Sequence, residues 1–360
     1  KKMKSGFFGA YHIYPNYPDF MNNESKYNDY YDDVGRLRYG GYLQEFIAGH
    51  TKYPALVTEF GLATGMGSAH SSPDGLNHGG LTEEQQGAGI IRMMEAIHKE
   101  GYAGGVVFEW MDEWAKKTWT TEPFMIPYDR HAYWFNAIDP EQNYGLLAME
   151  PEMSKENEFV KSGNGVIKSI GLKHDSAYLY MDIELTKALD FENEKLLIGL
   201  DTYDRAKGEF KFMENSDIEA PSGLEFLLDI NGQQNSKFLV QPGYNTSKYK
   251  YSSLISYDGI FEEIIQLIGN ERITKYGQKI NAVYYDESKL NFGELNDNSY
   301  NQLYFENNKI YVRLPWGRLN FTDPSTMSVL DDTSNISELT RDNLKTVTSE
   351  GIIASVLLYN

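Results

Sequence analysis

The pattern of apolar and polar positions changes character part-way along this chain. Over residues 1–150, short apolar runs alternate with amphipathic segments of helical period. From residue 151 onwards, apolar and polar residues tend to alternate one by one, which is the period of a half-buried β-strand. The pattern predicts an α/β domain over residues 1–150 and an all-β domain over residues 151–360. A charged segment over residues 150–158 is predicted to link them.

The first part alternates strand-like and helix-like segments. Helices are predicted over residues 34–49 and 82–101, and the second is opened by a capping box of Thr82 and Gln85. Alternation of this kind implies parallel strands joined by right-handed crossovers. Buried strands are predicted over residues 6–14, 53–61 and 104–110. Loops are predicted over residues 22–33, 62–80 and 115–150.

The second part consists of short strand-like segments. Turn signals separate them, among them Asn231-Gly232 and Pro242-Gly243. Many short strands with little helix predict an antiparallel β-sandwich. The predicted strands cover residues 166–172, 177–185, 195–201, 224–230, 237–241, 279–285, 309–314 and 352–359.

Composition narrows the classes of partner. The formal net charge is −19 and the isoelectric point is near 4.8. This charge argues against nucleic acid or an anionic membrane surface as a partner, because both favour basic proteins. No cysteine is present, so disulfide bonds and thiol chemistry are excluded. No apolar run reaches the roughly 18 residues of a transmembrane helix, so no transmembrane segment is predicted.

Aromatic residues are plentiful, with 27 Tyr, 18 Phe and 5 Trp. The flat faces of Tyr and Trp suit stacking on sugar rings. Tyrosine also fills β-structure, where its propensity is high. Composition alone leaves both interpretations open.

Candidate chemistry lies just after each predicted strand of the first part. His12 and Tyr14 end the first strand, Glu59 ends the second, and Glu109 and Trp110 end the third. The carboxyl ends of parallel strands meet on one face, which is where active sites of α/β folds lie. A lone carboxylate such as Glu59 is costly to desolvate unless it has partners or a task. The pattern therefore predicts a site centred on Glu59.

These residues resemble a known family. Residues 5–150 are similar to the last third of the barrel of retaining glycoside hydrolases, in the clan that includes families 2 and 5. His-x-Tyr at 12 and 14 matches the end of the sixth barrel strand, Glu59-Phe60-Gly61 that of the seventh, and Trp110 that of the eighth. The resemblance implies the last strands of a TIM-type (β/α)8 barrel.

By that resemblance, Glu59 is the catalytic nucleophile. Tyr14 is expected to hydrogen-bond Glu59, and His12 to contact substrate hydroxyls or to orient Tyr14. Trp110 is expected to stack on a pyranose. The implied reaction is hydrolysis of a β-linked polysaccharide or oligosaccharide by a retaining double displacement, with no cofactor and no metal. Such substrates lie mostly outside cells, so an extracellular or cell-surface location follows from the resemblance.

Each of these roles has a structural alternative. Glu59 can pair with an arginine in the core, His12 can be a buried histidine, and Trp110 can fill the barrel interior. Glu109 is either a substrate contact or a buried ion-pair partner, and it ranks below Glu59 because no glycine follows it. Trp119 and Trp134 either wall a sugar cleft or pack a closing helix or the joint to the next domain.

The general acid/base is expected outside this chain. Retaining hydrolysis needs a second carboxylate about 5 Å from the nucleophile, and in this clan it ends the fourth strand, whereas the resemblance begins near the sixth. Asp112 and Glu113 are nearby carboxylates, but nothing in their spacing marks either of them as a substitute for the general acid/base. The chain, which starts at Lys1 without an initiator methionine, is expected to be inactive without the N-terminal part of the barrel.

Residues 160–360 resemble the sandwich of family 9 carbohydrate-binding modules. The resemblance is carried by the segments 175–180, 198–202, 312–316 and 320–325. Binding members hold a sugar between two tryptophans. This part has only Trp316, so a two-tryptophan clamp is not expected. A tyrosine platform stays open, formed from Tyr244, Tyr249, Tyr251 and Tyr257.

Four acidic residues of the second part allow two interpretations. Asp201, Asp204, Glu225 and Asp229 are either oxygen ligands for calcium or solvated acidic loops. For the whole chain, a glycoside hydrolase is the expected function. The alternatives are a non-catalytic carbohydrate-binding surface protein and a structural spacer of a large exported polypeptide.

Overall fold

A computed structural model of the protein describes residues 4, 6–149, 158–214, 216–249, 259–340 and 342–359. By its internal contacts the chain forms two compact units. The first unit comprises Lys1–Glu113, Asp139–Met149 and Ile268–Val283. The second unit comprises Trp114–Ile138, Glu150–Leu267 and Tyr284–Asn360. The predicted linker over 150–158 lies, except for Glu158, outside the described residues.

Strands make up most of the regular structure, with 34% strand and 19% helix. Those of the first half are β1 Gly9–His12, β2 Ala55–Phe60, β3 Ser68–His70, β4 His78–Gly79, β5 Gly105–Val107, β6 Phe159–Ser162, β7 Ile167–His174 and β8 Tyr178–Leu185. The next are β9 Lys195–Asp201, β10 Glu209–Lys211, β11 Glu219–Leu224, β12 Phe226–Ile230, β13 Lys237–Val240, β14 Glu262–Glu263, β15 Ile265–Gly269 and β16 Arg272–Ile273. The last are β17 Lys279–Ile280, β18 Val283–Asp286, β19 Leu303–Glu306, β20 Lys309–Pro315, β21 Phe321–Asp323, β22 Ser328–Leu330, β23 Thr346–Thr348 and β24 Ile353–Tyr359.

Helices are few and mostly short. The α-helices are α1 Phe20–Asn23, α2 Arg38–Ala48, α3 Glu83–Lys99 and α4 Gly232–Asn235. The 3₁₀ helices are Ser25–Asp29, Glu122–Phe124, His131–Tyr133, Pro140–Gln142, Pro242–Tyr244, Thr246–Tyr249, Trp316–Leu319 and Pro324–Thr326. Among the described residues, no helix combines the length and the apolar character that crossing a membrane requires.

The first unit is organised around a three-stranded parallel sheet. Its order is β1-β2-β5, and both pairings are parallel, as the alternation of strands and helices predicts. Helix α2 connects β1 to β2. Helix α3 precedes β5 and begins with the predicted capping box, in which Thr82 accepts from the Gln85 amide and Gln85 reaches back to Thr82. The described residues form no closed barrel, so the TIM-type barrel stays a prediction.

The core of the first unit forms where these elements pack. Val57 and Phe60 of β2 are fully buried, and so are Met93 and Ile97 of α3. These two helical residues are one turn apart, so they share the face that packs on the sheet. The loop predicted over residues 62–80 is partly wrong, because β3 and β4 form a short antiparallel pair within it.

The second unit contains two five-stranded antiparallel sheets. Their orders are β19-β20-β8-β7-β6 and β14-β13-β12-β9-β24. Every strand predicted from the alternating pattern of this part is present within a few residues, and β9 has the predicted bounds. The segment predicted as one strand over 279–285 is wrong in one respect, since it forms two strands, β17 and β18.

Candidate functional site

Glu59 lies at the carboxyl end of β2, beside the end of β1. The parallel register places His12 opposite Glu59, after a shift between Tyr11 and His12. The amide of Ile13 donates to the Glu59 carbonyl at 2.9 Å, which holds the two strand ends together. His12 Nδ1 then lies 3.1 Å from Glu59 Oε2. The His12 side chain is 59% exposed, so the alternative of a buried histidine is wrong.

Tyr14 reaches the same carboxylate oxygen. It lies two residues beyond His12, and its hydroxyl donates to Glu59 Oε2 at 3.0 Å. Burial raises the pKa of the Tyr14 hydroxyl, and the charge of Glu59 and the hydrogen bond to it raise that pKa further. The hydroxyl therefore stays protonated and remains a donor at neutral pH.

One oxygen of the Glu59 carboxylate is held by neighbouring side chains, and the side chain is partly exposed. In the described part of the chain, both polar contacts of this side chain go to Oε2, and neither comes from an arginine. The core arginine pair considered from the sequence is therefore wrong. The Glu59 side chain is 31% exposed, so solvent or a ligand can reach it. A partly exposed carboxylate with one oxygen held by neighbouring side chains can attack an electrophile.

The close approach of Phe108 explains why a glycine, Gly61, follows the end of β2. A Cβ at Gly61 would lie 2.0 Å from the Phe108 carbonyl oxygen. The Phe108 amide donates to the Phe60 carbonyl at 2.8 Å, which brings the ends of β2 and β5 this close. A side chain at position 61 would separate the two strand ends.

Glu109 and Trp110 follow β5, after a cis peptide bond between Phe108 and Glu109. The charge of Glu109 contributes to the raised pKa of Tyr14, so its carboxylate lies in the electrostatic environment of the site. Trp110 is 68% exposed, and because the described residues form no closed barrel, its alternative role in filling a barrel interior stays a prediction. Among the described residues, no contact joins Trp110 to Glu59. The substrate roles of Glu109 and Trp110 stay predictions.

A row of rings leads away from Tyr14. The Tyr14 and Tyr144 ring centroids are 5.9 Å apart, and those of Tyr144 and His78 are 5.5 Å apart. His78 stacks on His70 at 5.6 Å with an interplanar angle of 6°. His78 Nε2 also lies 3.2 Å from the Glu141 carboxylate, whose charge contributes to the raised pKa of Tyr14.

Sequence reasoning missed this row. The sequence predicts loops over residues 62–80, which hold His70 and His78, and over residues 115–150, which hold Tyr144. The available signal was two histidines in the segment directly after the strand of Glu59. Their pairing with residues 141 and 144 depends on contacts that no local period encodes.

Asp112 has a structural role in this region. Its carboxylate accepts from the amides of Gly145 at 2.9 Å and Met149 at 3.1 Å. Met111 and Leu147 form a parallel bridge beside it. Asp112 therefore positions the segment that carries Tyr144.

Trp119 and Trp134 belong to the second unit. Their predicted place in a sugar cleft beside Glu59 stays a prediction. Trp134 is 2% exposed, and its buried Nε1 has no hydrogen-bond partner among the residues that the structure describes. It lines an apolar groove of about 1080 Å³ together with Trp316, Phe321, Leu172 and Ile353.

Two tryptophans therefore line one groove, although residues 151–360 contain only one. Trp316 is 5% exposed, and its Nε1 donates to the Asp175 carbonyl at 2.9 Å. Because Trp134 and Trp316 are both buried, neither presents an open face for a sugar ring. For the alternative tyrosine platform, Tyr244 is buried, and Tyr251 and Tyr257 lie outside the described residues.

Three of the four acidic residues considered for calcium are buried, so the interpretation as solvated loops is wrong for them. Asp201 lies 2.9 Å from Arg205, and Asp229 lies 2.8 Å from Lys195. Glu225 accepts from the Thr202 amide at 2.6 Å. Burial raises the Glu225 pKa to about 8. In the described ranges, no group of three or more His, Asp or Glu side chains is arranged to hold a metal ion.

The site thus combines an accessible carboxylate, two polar side chains on one of its oxygens and an exposed tryptophan on the neighbouring strand end. Such a carboxylate can act as a nucleophile or accept hydrogen bonds from hydroxyl groups. In comparisons with known proteins, no family model, no curated protein and no solved structure matches this chain.

Proposed function

We propose that this chain is part of a retaining glycoside hydrolase that acts on a β-linked polysaccharide or oligosaccharide. The single observation that carries the proposal is the pair of contacts at Glu59 Oε2, 3.0 Å from the Tyr14 hydroxyl and 3.1 Å from His12 Nδ1. The carboxylate stands at the carboxyl end of a parallel strand, where chemistry is usual for such sheets.

In this proposal, Glu59 attacks the anomeric carbon from the face opposite the leaving group. The C–O bond to the aglycone breaks, a glycosyl ester forms on Glu59, and the leaving oxygen takes a proton from a general acid. Water, deprotonated by the same residue, then hydrolyses the ester and returns Glu59 as a carboxylate. Tyr14 holds Oε2 so that Oε1 faces the substrate, and His12 contacts substrate hydroxyls or orients Tyr14.

The remaining parts of the proposal follow the family resemblance. The three parallel strands of the first unit are the last strands of a (β/α)8 barrel, and the second unit is the sandwich domain. The general acid/base belongs to an N-terminal part of the barrel outside this chain, so the chain alone is inactive. Trp110 stacks on the sugar, and the protein acts outside the cell or on its surface.

The test is chemical rescue of a nucleophile variant in the protein encoded by the complete reading frame. A panel of 2,4-dinitrophenyl β-glycosides is used, because this leaving group departs without an acid. Glu59→Ala is expected to lose at least 10³-fold in kcat and to regain turnover with azide, giving an α-glycosyl azide. The control is Glu95→Gln, an exposed carboxylate on α3. Full activity of the Glu59→Ala protein without azide would refute the proposal.

A second candidate is a non-catalytic glycan-binding protein. The exposed indole of Trp110 favours it, since stacking on a sugar needs no reacting carboxylate. Under this alternative, the complete protein binds an oligosaccharide with equal affinity before and after Glu59→Gln and turns over none of the glycosides.

A further inference from the structure

A second group of side chains lies at the far end of the ring row, in the first unit. His70 ends the row, and its ring centroid is 5.4 Å from that of Tyr17 at an interplanar angle of 41°. Tyr17 is 64% exposed, so its ring has a face open to a ligand. An open tyrosine face beside a second ring is a surface on which a flat apolar group can stack.

A small cavity lined by both polar and apolar side chains adjoins His70. Its volume is about 90 Å³, which is room for several water-sized polar groups. Five asparagines are among its lining residues, and an amide both donates and accepts hydrogen bonds. The asparagines that line it are Asn16, Asn22, Asn23, Asn270 and Asn281.

The walls of the cavity are joined by polar contacts within the first unit. Arg272 forms an ion pair with Asp19, and Gln278 Nε2 donates to the Asn23 carbonyl at 3.2 Å. The hydroxyl of Ser72 donates to Asn22 Oδ1 at 3.1 Å. These contacts connect residues 16–23, 70–73 and 268–283 around one cavity, so its shape is set before a ligand arrives.

The electrostatics favour a neutral ligand. Asp19 is neutralised by Arg272, and Glu141 lies against His78. Burial and, to a smaller extent, the neighbouring His78 together lower the pKa of His70 to about 4, so His70 is uncharged at neutral pH. An open ring, several amides, an Asp19 carboxylate paired with Arg272 and an uncharged His70 match the chemistry of an uncharged polyhydroxyl compound.

We propose that Tyr17, His70 and the asparagine-lined cavity form a second sugar subsite, which binds a neutral pyranose unit of the glycan that reaches Glu59. The proposal rests on the proposed hydrolase function, because Tyr17 follows β1 and His70 follows β2 in the chain, after the carboxyl ends of the two strands that carry His12 and Glu59. Tyr17 stacks on the apolar face of the sugar, and hydroxyl groups enter the cavity. The subsite selects for oligomers over single sugars.

The test compares long and short substrates in the complete protein. The probes are 4-nitrophenyl β-glycosides of cellotetraose, xylotetraose, mannotetraose and laminaritetraose, each beside its monosaccharide glycoside. Tyr17→Ala is expected to lower kcat/KM at least tenfold for the hydrolysed tetrasaccharide and less than twofold for the monosaccharide. Asn281→Ala, at an exposed position of the cavity rim, is expected to act in the same direction.

The matched control is Tyr53→Ala. Tyr53 is also exposed, but it precedes β2 and so lies at the end of the strand away from Glu59. The Tyr53→Ala change should alter kcat/KM neither for the tetrasaccharide glycoside nor for the monosaccharide glycoside. Two results would overturn the subsite, provided that the Tyr17→Ala and Asn281→Ala proteins keep the wild-type melting temperature. One is an equal loss of kcat/KM on both substrates, and the other is no loss on either.

Binding to the 360-residue chain separates this proposal from the hydrolase proposal. The four free tetrasaccharides are titrated into the chain by calorimetry. Affinity that falls tenfold in the Tyr17→Ala chain supports the subsite even where no glycoside is hydrolysed. Absence of both binding and hydrolysis for all four sugars overturns the subsite, whereas turnover that survives Glu59→Ala overturns the hydrolase proposal alone.

Discussion

The Tyr14 hydroxyl donates to Glu59 Oε2 across 45 residues of sequence. The contact exists because β1 and β2 are parallel neighbours whose carboxyl ends coincide. The contact joins Tyr14, whose pKa is raised, to Glu59, the carboxylate at the centre of the proposed mechanism. The first prediction follows from this pair.

Tyr14→Phe removes one hydrogen bond to a charged oxygen and leaves the ring packing in place. Such a bond is worth about 1.5–3 kcal/mol, so kcat of the complete enzyme should fall roughly 10- to 100-fold. Tyr53→Phe is the control and should keep full activity. An unchanged kcat in Tyr14→Phe would show that the hydrogen bond does not position the nucleophile.

Gly61→Ala should destabilise the first unit. Its Cβ would lie 2.0 Å from the Phe108 carbonyl oxygen, so the ends of β2 and β5 must separate at a cost of about 1–3 kcal/mol. Gly87→Ala is a matched control on α3, where an added Cβ meets nothing within 4 Å. It should stabilise the helix by up to about 1 kcal/mol. Urea unfolding measures both changes, and equal stabilities would contradict the steric account.

His70 should make the protein less stable as the pH falls from 6.5 to 4. Its folded pKa is lowered to about 4 from 6.5, so in this window the unfolded chain binds a proton that the folded chain does not. The loss is on the order of 3 kcal/mol. In the His70→Gln protein, the free energy of unfolding should depend less on pH over this range. Parallel curves for the two proteins would be evidence against a buried neutral His70.

Glu225, in the second unit, should make the protein less stable as the pH rises. Its folded pKa is raised to about 8 from 4.5, so its contribution to stability is complete below pH 4.5 and is lost as the pH rises through 8. Glu225→Gln should remove this dependence and make the protein more stable than wild type at pH 9, by on the order of 4 kcal/mol. Glu219→Gln, at an exposed position, is the control. If the free energy of unfolding of the Glu225→Gln protein depends on pH as that of wild type does, the raised pKa of Glu225 is refuted.

Local features of the fold were predictable because they depend on neighbouring residues. The capping box of Thr82 and Gln85 and the bounds of β9 both follow from a few adjacent positions. Parallel pairing of β1 with β2 followed from the alternation of strands and helices. Each of these inferences needs only the local period and its interruptions.

Features that depend on distant partners were not predictable. The turn signals gave no reason for residues 268–283 to belong to the first unit, where Arg272 pairs with Asp19. The placement of Trp134 with Trp316 at one groove could not be inferred from counting tryptophans in each half. The burial of Glu225 was missed because an acidic residue beside a predicted strand looks the same whether it is solvated or enclosed.

Trapping of the glycosyl-enzyme tests the central claim most directly. The complete protein is incubated with 2-deoxy-2-fluoro-β-glycosyl fluorides of the gluco, galacto, manno and xylo series, digested, and analysed by tandem mass spectrometry. The account predicts a fluoroglycosyl adduct on the peptide that contains Glu59, attached to Glu59 itself. An adduct on Glu109 or Glu141, or turnover of the matching glycoside with no adduct on Glu59, would contradict it.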